Sequence, residues 1–216
     1  NLSKSFRGLL GERFELSRIR LAEQQVSLDG TIKCAFDVGV NKVVEGVLIP
    51  TTKRMTACIS SQVGCSLACK FCATGKLKLL KNLTPGEIYD QVEVIRGLAD
   101  EHYNKPLSNI VYMGMGEPLL NYANVLRSIE RITAEDGLNM SYKRITVSTA
   151  GIAKMIKKLG DDGVKFNLAL SLHAANDAKR NEIMPINEQN SLKALAEALK
   201  YYFAKTKNQN LSALEN

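Results

Sequence analysis

The feature that most constrains this chain is an alternation, from Met55 onwards, of short apolar segments with longer segments whose apolar residues recur at helical spacing. This alternation is typical of βα units, in which consecutive strands lie parallel in one sheet. Four units can be traced, with strands expected near residues 55–60, 109–113, 144–148 and 164–172. A closed barrel of this kind has eight strands. The sequence therefore predicts a partial α/β barrel, and we expect that its C-terminal part is missing from this chain.

The segments expected to form helices carry start signals and an apolar face. Thr84-Pro-Gly-Glu87 combines a capping box with a proline in the first turn, and Ile88, Val92 and Ile95 follow at helical spacing. These three side chains should lie against the sheet. We expect the last helix to begin at Ser191 and to turn four apolar side chains inward: Leu192, Leu195, Leu199 and Phe203.

The region before Met55 has a different pattern. Residues 3–14 suggest a short amphipathic helix, and Asp29-Gly30 is a hairpin signal. Apolar residues then alternate with other residues at the two-residue period of a strand, which places Cys34 on the apolar face. A second strand, residues 43–49, carries Glu45 as its only charge. We therefore expect a small N-terminal α/β appendage.

Length and composition bound the class of protein. A chain of 216 residues with 45% hydrophobic and 24% charged residues is an ordinary globular chain of one main domain, which excludes a disordered or fibrous protein. We divide it into the appendage, residues 1–50, and the partial barrel, residues 51–216. No run of residues is long and apolar enough for a bilayer span, and the first residues lack the apolar stretch of a signal peptide. We therefore expect a cytoplasmic protein with no membrane partner.

Charge and cysteine content narrow the function. The formal net charge of +7 favours a polyanionic partner, with nucleic acid as the first expectation. Five cysteines are an odd number, and four of them fall within residues 58–72. That distribution is unsuited to the disulfide framework of a secreted protein.

Three of these cysteines form the motif with the clearest chemistry. Cys65, Cys69 and Cys72 lie at spacings of four and three positions in the loop expected after the first barrel strand. A cubane cluster has four irons, so three thiolates leave one iron free to bind a small molecule. The alternative is a structural zinc, which needs four closed ligands. The fourth zinc ligand would come from one of three residues: Cys58, His102 or His173.

Polar residues stand where the later strands end, which is where α/β sheets bind ligands. Gly114-Met-Gly116-Glu117-Pro118 follows the second strand and lacks the third glycine of a dinucleotide fingerprint. Gly116 permits close backbone approach, and the Glu117 carboxylate suits the ammonium group of an amino acid. The alternative for Glu117 is a solvated turn residue.

The third and fourth strands end in hydroxyl and imidazole groups. Ser148 closes one strand, and Ser171-Leu172-His173 closes the other. Such groups can form hydrogen bonds with ribose and carboxylate oxygens. Two alternatives stay open: Ser148 as the N-cap of the next helix, and His173 as a satisfied core histidine.

The cysteine triplet, with Phe71 before its last member, resembles the signature of the radical S-adenosylmethionine (radical SAM) enzymes. The segment 114–118 resembles their GGEP-type motif. The resemblance implies a [4Fe–4S] cluster on Cys65, Cys69 and Cys72, with S-adenosyl-L-methionine on the fourth iron. One electron from the cluster would then cleave this cofactor to a 5′-deoxyadenosyl radical.

One family within that superfamily is similar over residues 44–187: the RlmN-like radical SAM methyltransferases. The matching segments are 45–50, 58–65, 69–75, 82–84, 114–118, 146–149 and 170–174. The resemblance implies methylation of C2 of adenosine in 23S ribosomal RNA and transfer RNA. It also implies an electron donor such as flavodoxin, and we expect a monomer. The alternatives are the sibling enzyme that methylates C8 of the same ribosomal adenosine, and a non-catalytic zinc-stabilised RNA-binding module.

The resemblance also implies a mechanism with two cysteines. A methyl-carrying cysteine gives a covalent protein–RNA intermediate, and a second cysteine, matched by Cys58, resolves it by forming a disulfide. Glu45 matches the proton acceptor of the family, and its apolar neighbours predict desolvation and a raised pKa. The alternatives are a buried structural Cys58 and an outward-facing Glu45.

Two functional residues of the family have no match in this chain. Neither the methyl-carrying cysteine nor a late asparagine that contacts the cofactor is found, and residues 204–216 do not continue the family pattern. The only cysteine left over is Cys34, on the wrong strand. We therefore expect this polypeptide to bind cluster and cofactor without methylating RNA.

A basic segment beside the cysteine loop suggests where RNA would bind. Lys70, Lys76, Lys78 and Lys81 occur within residues 70–81, which contain no acid. Lysines there could neutralise phosphates while the target base leaves its stack. The alternative is a solvated loop.

Overall fold

The computed structural model of the protein describes residues 2–13, 19–206 and 211–214. The strands are β1 Arg20–Val26, β2 Ile32–Asp37, β3 Val43–Pro50, β4 Met55–Cys58, β5 Gln62–Val63, β6 Lys81–Asn82, β7 Asn109–Tyr112, β8 Ile145–Thr149, β9 Asn167–Ser171 and β10 Leu211–Leu214. The α-helices are α1 Lys4–Arg13, α2 Pro85–Tyr103, α3 Tyr122–Thr133, α4 Ala153–Asp161, α5 Asp177–Ile183 and α6 Leu192–Thr206. None of these helices is both long and apolar enough to cross a bilayer.

Eight strands form one mixed sheet in the order β1-β2-β3-β4-β7-β8-β9-β10. From β4 to β10 neighbouring strands are parallel, and β1 to β4 are joined by antiparallel pairing. The described strands leave the sheet open, with β1 and β10 at its edges. The predicted fold class, a partial α/β barrel, is confirmed. The appendage strands continue the barrel sheet, and the division at residue 50 stays a prediction.

Most predicted elements are present, with shifted ends. The first helix ends at Arg13, and the predicted Phe14 lies outside the described residues. The structure adds a fifth parallel strand, β10, after the four that were predicted. It also adds the short helix α5, which no sequence pattern predicted.

The start of α2 follows its sequence signal. The Thr84 hydroxyl accepts the Glu87 backbone N–H, and the Glu87 carboxylate accepts the Thr84 backbone N–H, so the capping box is complete. Ile88, Val92 and Ile95 are fully buried, as predicted.

The prediction for α6 is partly wrong. Leu195, Ala198 and Tyr202 form its buried face, whereas Phe203 is 43% exposed. Gly160 of α4 brings the two helices into close contact beside Tyr202. Phe203 follows Tyr202 by one residue and so points about 100° away around the helix. Packing against α4 therefore decides which residues of α6 are buried.

Strand register determines which side chains share a face of the sheet. Cys58, Val111, Thr146 and Asn167 are paired in sequence across β4, β7, β8 and β9, so their side chains lie on one face, here called the inner face. The opposite face packs against the helices through residues that are fully buried: Ala57, Ile110, Ile145 and Leu168. The inner face therefore carries the polar side chains of the sheet.

Candidate cluster and cofactor site

A cavity of about 460 Å³ lies at the carboxyl ends of β7, β8 and β9, beside the loop that follows β4. Its size suits a small-molecule ligand. Among the residues that line it are eight of the predicted site residues: Cys65, Cys69, Cys72, Gly116, Glu117, Ser148, Ser171 and His173. Residues far apart in the sequence are thus brought to one cavity by the parallel arrangement of the strands.

The cysteine loop is fixed by its own backbone. The Cys65 N–H donates to the Leu77 carbonyl over 3.3 Å, and the Cys72 N–H donates to the Cys69 carbonyl over 3.2 Å. A Cβ at Gly75 would lie 2.5 Å from the Cys69 carbonyl oxygen, so a larger residue cannot close the loop in this way. The positions of the three thiols therefore follow from local hydrogen bonds and one glycine.

The electrostatics of the three thiols fit a bound iron–sulfur cluster. Burial raises the pKa of Cys69 to about 11, and the neighbouring Cys65 and Cys72 sulfurs act in the same direction. Burial also raises the pKa of Cys65, partly opposed by the Leu67 N–H. Three thiols that share a cavity and repel one another as thiolates need added positive charge. Iron in a [4Fe–4S] cluster supplies that charge, and three thiolates leave one iron for a further ligand.

The zinc alternative needs a fourth ligand beside the three cysteines, and one of its three candidates, His102, lies elsewhere. His102 lies in the last turn of α2, next to Tyr103, whose hydroxyl donates to the Gly30 carbonyl in the β1–β2 turn. That position is remote from the cavity, which His102 does not line.

Glu117 is buried, so the alternative of a solvated turn residue is wrong. Its side chain accepts the Leu119 N–H over 3.0 Å and the Ala150 N–H over 2.7 Å. Burial raises the pKa of the carboxyl group, and the hydrogen bond from Ala150 acts in the opposite direction. The carboxylate thus joins the loops after β7 and β8. Its binding of an ammonium group stays a prediction.

Gly116 is the residue that allows this segment to approach the cysteine loop. Its φ of +96° lies in the left-handed region, and an added Cβ would lie 2.5 Å from the Gln62 Cβ. Gln62 accepts the Glu117 N–H over 2.8 Å and donates to Asn82 over 2.7 Å. Strands β5 and β6 pair antiparallel, and this fully buried glutamine joins that pair to the Gly116 segment.

Gly116→Ala is expected to destabilise the chain by about 1–3 kcal/mol and to weaken S-adenosylmethionine binding, because alanine is strained at positive φ. Urea denaturation gives the free energy of unfolding, and equilibrium dialysis gives the affinity. Gly97→Ala is the matched control. Gly97 lies in α2 with nothing within 4 Å of an added Cβ, so its replacement should stabilise by up to about 1 kcal/mol. Equal effects of the two substitutions would contradict this account.

The strand-end serines meet in the cavity. The Ser148 and Ser171 hydroxyl oxygens are 3.2 Å apart. Ser148 does not cap the next helix, since the N-cap position of α4 is Ile152. The two hydroxyls therefore offer adjacent donors and acceptors to a ligand.

The side chains of Leu172 and His173, at the end of β9, lie in different surroundings. The Leu172 side chain packs against the hydrophobic core and does not line the cavity, and its predicted contact with the cofactor stays a prediction. His173 adopts a left-handed backbone with φ of 56°, and its ring lies 4.2 Å from the Phe71 ring. Burial lowers the pKa of His173, which favours a neutral imidazole at the cavity wall. Non-glycine residues in this conformation cluster at functional sites.

Cys58 lies on the inner face next to the cavity. The Met113 N–H donates to its sulfur, and Met113 lines the cavity. Burial raises the pKa of the Cys58 thiol to about 11, and the hydrogen bond from Met113 opposes that shift. Cys58 and the other four cysteines are free thiols.

Glu45 shares the inner face with Cys58, because Val47 of β3 pairs with Cys58 and Glu45 precedes Val47 by two residues. The predicted desolvation of Glu45 is wrong. Its side chain is half exposed and forms an ion pair with Lys33 over 2.6 Å. The apolar neighbours do not cover it, since Val44 and Leu48 point to the opposite face, and Val43 and Ile49 on the same face are themselves exposed.

Sequence reasoning missed several residues of the site. Arg180 is fully buried in α5 and donates to the carbonyls of Ala150 and Ser171, both residues of the cavity wall. Met184, directly after α5, lines the cavity. Arg180 stands between Lys179 and Asn181, where a charged residue is typical of a solvated helix face. No signal in one sequence identified it.

Comparisons with known proteins agree with this geometry. The radical SAM superfamily matches residues 59–210. A probable dual-specificity RNA methyltransferase RlmN from Cytophaga hutchinsonii is 62% identical over 206 residues, which are 95% of this chain and 56% of that protein. A protein of the same name from Flavobacterium johnsoniae is 55% identical over 209 residues, 97% of this chain and 60% of that protein.

A solved structure of a radical SAM methyltransferase has the same fold. The crystal structure of a radical SAM methyltransferase from Sphaerobacter thermophilus superposes with a TM-score of 0.91 at 37% identity, covering 98% of this chain and 62% of that one. The chain thus spans about three-fifths of the length of these relatives. The resemblance inferred from the motifs is confirmed. With a superfamily match over most of its length and three converging thiols beside a ligand-sized cavity, the chain belongs to the radical SAM superfamily.

Proposed function

We propose that this chain is the catalytic core of a radical SAM methyltransferase that methylates C2 of adenosine in 23S ribosomal RNA and transfer RNA. The observation that carries the proposal is Cys58, a thiol beside the cavity that is separate from the three cluster cysteines. A radical SAM site needs only those three cysteines to hold its cluster. A further thiol next to the same cavity supports a reaction with a covalent substrate intermediate.

The proposed roles follow from position. Cys65, Cys69 and Cys72 would hold the [4Fe–4S] cluster. S-adenosylmethionine would contact five residues of the cavity wall: Gly116, Glu117, Ser148, Ser171 and His173. When bound, cluster and cofactor would supply the radical chemistry. The protein groups orient the cofactor and limit access of water to it.

Cys58 and Glu45 are proposed to act on the RNA adduct. Only a thiolate can attack the sulfur of a sulfur-linked adduct: the S–S bond would form as the S–C bond to the RNA breaks, and the released carbon would take up a proton to leave a methyl group. The raised pKa of Cys58 means that this thiol is protonated at neutral pH, so it must lose a proton before it attacks. Glu45 on the same face is the proposed proton acceptor. The methyl-carrying cysteine would come from a segment outside these 216 residues.

A basic and apolar rim beside the cavity supports RNA as the substrate. Lys70, Lys76 and Lys78 are exposed, and Phe71 and Leu80 are 52% and 61% exposed. Exposed cations and an aromatic ring together suit phosphates and unstacked bases. The name of these relatives, dual-specificity RNA methyltransferase, supports the same substrate class.

One predicted member of this basic surface must be corrected. The Lys81 ammonium donates to the Glu87 carboxylate over 2.5 Å and to the Val38 carbonyl over 3.2 Å. Glu87 is buried at the start of α2, so the ion pair holds Lys81 against the protein. Lys81 therefore stabilises the capping box region and is not free to bind phosphate.

Replacing Lys76 and Lys78 together by alanine should weaken RNA binding similarly for different sequences, because phosphate contacts carry little base specificity. The slope of log K against log salt concentration should become shallower by about 1.4–1.8 if both lysines neutralise a phosphate. Filter binding at several salt concentrations measures both effects. Lys193→Ala with Lys200→Ala removes the same charge from the exposed side of α6 and is the control. Equal losses for the two pairs would contradict a local RNA surface.

Mass spectrometry of RNA tests the proposed activity. A form extended to the length of the relatives is incubated anaerobically with S-adenosylmethionine, a reductant and unmodified 23S ribosomal or transfer RNA, and the RNA is digested to nucleosides. The proposal expects 2-methyladenosine. Detection of 8-methyladenosine would assign the chain to the sibling activity, and unmodified RNA from a cluster-loaded, cofactor-cleaving protein would contradict RNA methylation.

A further inference from the structure

A buried arginine lies behind the wall of the cofactor cavity. The Arg180 guanidinium is fully buried and donates to three backbone carbonyls, those of Leu172, Ser171 and Ala150. It also donates to the Asn187 side-chain oxygen over 2.6 Å. These contacts join the loops that end β8 and β9 to α5. Arg180 therefore sits directly beneath residues that line the cavity.

The charge of this guanidinium is not neutralised by direct contact with an acid. Across residues 2–13 and 19–206, no carboxylate forms an ion pair with Arg180. Asp177 is reached only through Asn187, which donates to its carboxylate over 2.9 Å. Backbone carbonyl dipoles satisfy the hydrogen bonds but leave the net charge in place. A buried, unpaired cation is costly unless something charged and negative lies nearby.

The cluster loop is the nearest place where such negative charge would arise. The Lys70 N–H donates to the Ile183 carbonyl at the end of α5 over 2.9 Å, so the helix that carries Arg180 contacts the loop next to Cys69. Cys69 lines the same cavity as Ala150 and Ser171, whose carbonyls accept hydrogen bonds from the Arg180 guanidinium. Arg180 and the cluster loop therefore border one cavity.

We infer that Arg180 acts on the cluster site through its fixed positive charge, which raises the reduction potential of the bound cluster. Reduction adds one negative charge to the cluster, and a nearby cation stabilises the reduced form more than the oxidised form. Burial strengthens this interaction because the effective dielectric constant is lower than in water. Net charge and hydrogen bonding near a cluster set its potential. The inference concerns the cluster alone and holds whatever the substrate is.

Redox titration of the anaerobically reconstituted chain tests this inference. Arg180→Met removes the charge, so the midpoint potential of the cluster should shift to a more negative value. Asp177→Asn removes the carboxylate that Asn187 connects to Arg180 and retains an acceptor for the Leu192 N–H, so its potential should not fall below that of the parent. Structural damage alone would shift the midpoint potentials of both variants in the same direction. Iron content and the thermal unfolding of the apoprotein check that each variant is folded and loaded.

A third variant covers the case in which Arg180→Met assembles no cluster. Asn187→Asp combined with Asp177→Asn places a carboxylate against the guanidinium, and the new amide at position 177 can donate to that carboxylate, which reverses the hydrogen bond now donated by Asn187. The charge of Arg180 is thus neutralised while it keeps its carbonyl contacts. The potential of this double variant should also fall. A charge-removing variant with a potential at or above that of the parent would overturn the inference, and so would a fall in Asp177→Asn.

Discussion

Replacing Cys69 by alanine is expected to abolish cluster binding and to reduce release of 5′-deoxyadenosine by at least about 100-fold. Cys69 is a buried member of the three-thiol set, and two remaining thiolates cannot hold a [4Fe–4S] cluster that needs three protein ligands. Iron and sulfide analysis after anaerobic reconstitution measures the first effect. Chromatography of the cofactor products measures the second.

Cys34→Ala is the matched control for this experiment. Cys34 is also buried, but it lies on β2 in the antiparallel part of the sheet and does not line the cavity. Its replacement should leave iron content and cofactor cleavage unchanged, with a modest loss of stability from the lost side-chain volume. A Cys69→Ala protein that retains the parental iron content, or a Cys34→Ala protein that loses it, would contradict the assigned ligands.

Cys58→Ala is expected to separate cluster chemistry from product release. In a form extended to the length of the relatives, the variant should keep its iron and still cleave S-adenosylmethionine, because Cys58 is outside the cluster triplet. Methylation of RNA should fall by at least about 1,000-fold, since no thiolate remains to resolve the adduct. A covalent protein–RNA species should accumulate and be visible on denaturing gels.

Cys58→Ser serves as the control for packing. Serine preserves most of the side-chain volume but cannot form the disulfide, so it should behave as alanine does. Methylation at the parental rate by either variant would assign Cys58 a structural role, and the proposed mechanism would then be wrong. Loss of iron in both variants would likewise argue for a structural part in the cluster site.

The parts of the fold that could be predicted are those set by local signals. The capping box at Thr84 and the apolar spacing of Ile88 and Val92 act within one helix, so the sequence alone determined where α2 begins and which face is buried. Burial of α6 depends on its contact with α4, which no local pattern encodes, and Phe203 was misplaced for that reason. The short helix α5 has no apolar period long enough to be recognised.

In the candidate site, too, the residues that could be predicted are those with a local sequence signal. Closely spaced cysteines and strand-end serines identified the cavity, because parallel strands bring their carboxyl ends to one edge of the sheet. Gln62 and Arg180 act through tertiary hydrogen bonds to residues 55 and 30 positions away, so their roles required coordinates. For Glu45 the sequence predicted burial that the structure does not have. Apolar neighbours along a strand point to both faces and do not guarantee burial.

Electron paramagnetic resonance of the reduced, reconstituted chain, recorded with and without S-adenosylmethionine, shows whether one iron of the cluster is free to bind the cofactor. We expect about four irons per chain and a spectrum whose g-values change when the cofactor is added. A reconstituted cluster with the same spectrum in both samples, or a colourless protein that holds zinc instead, would contradict it.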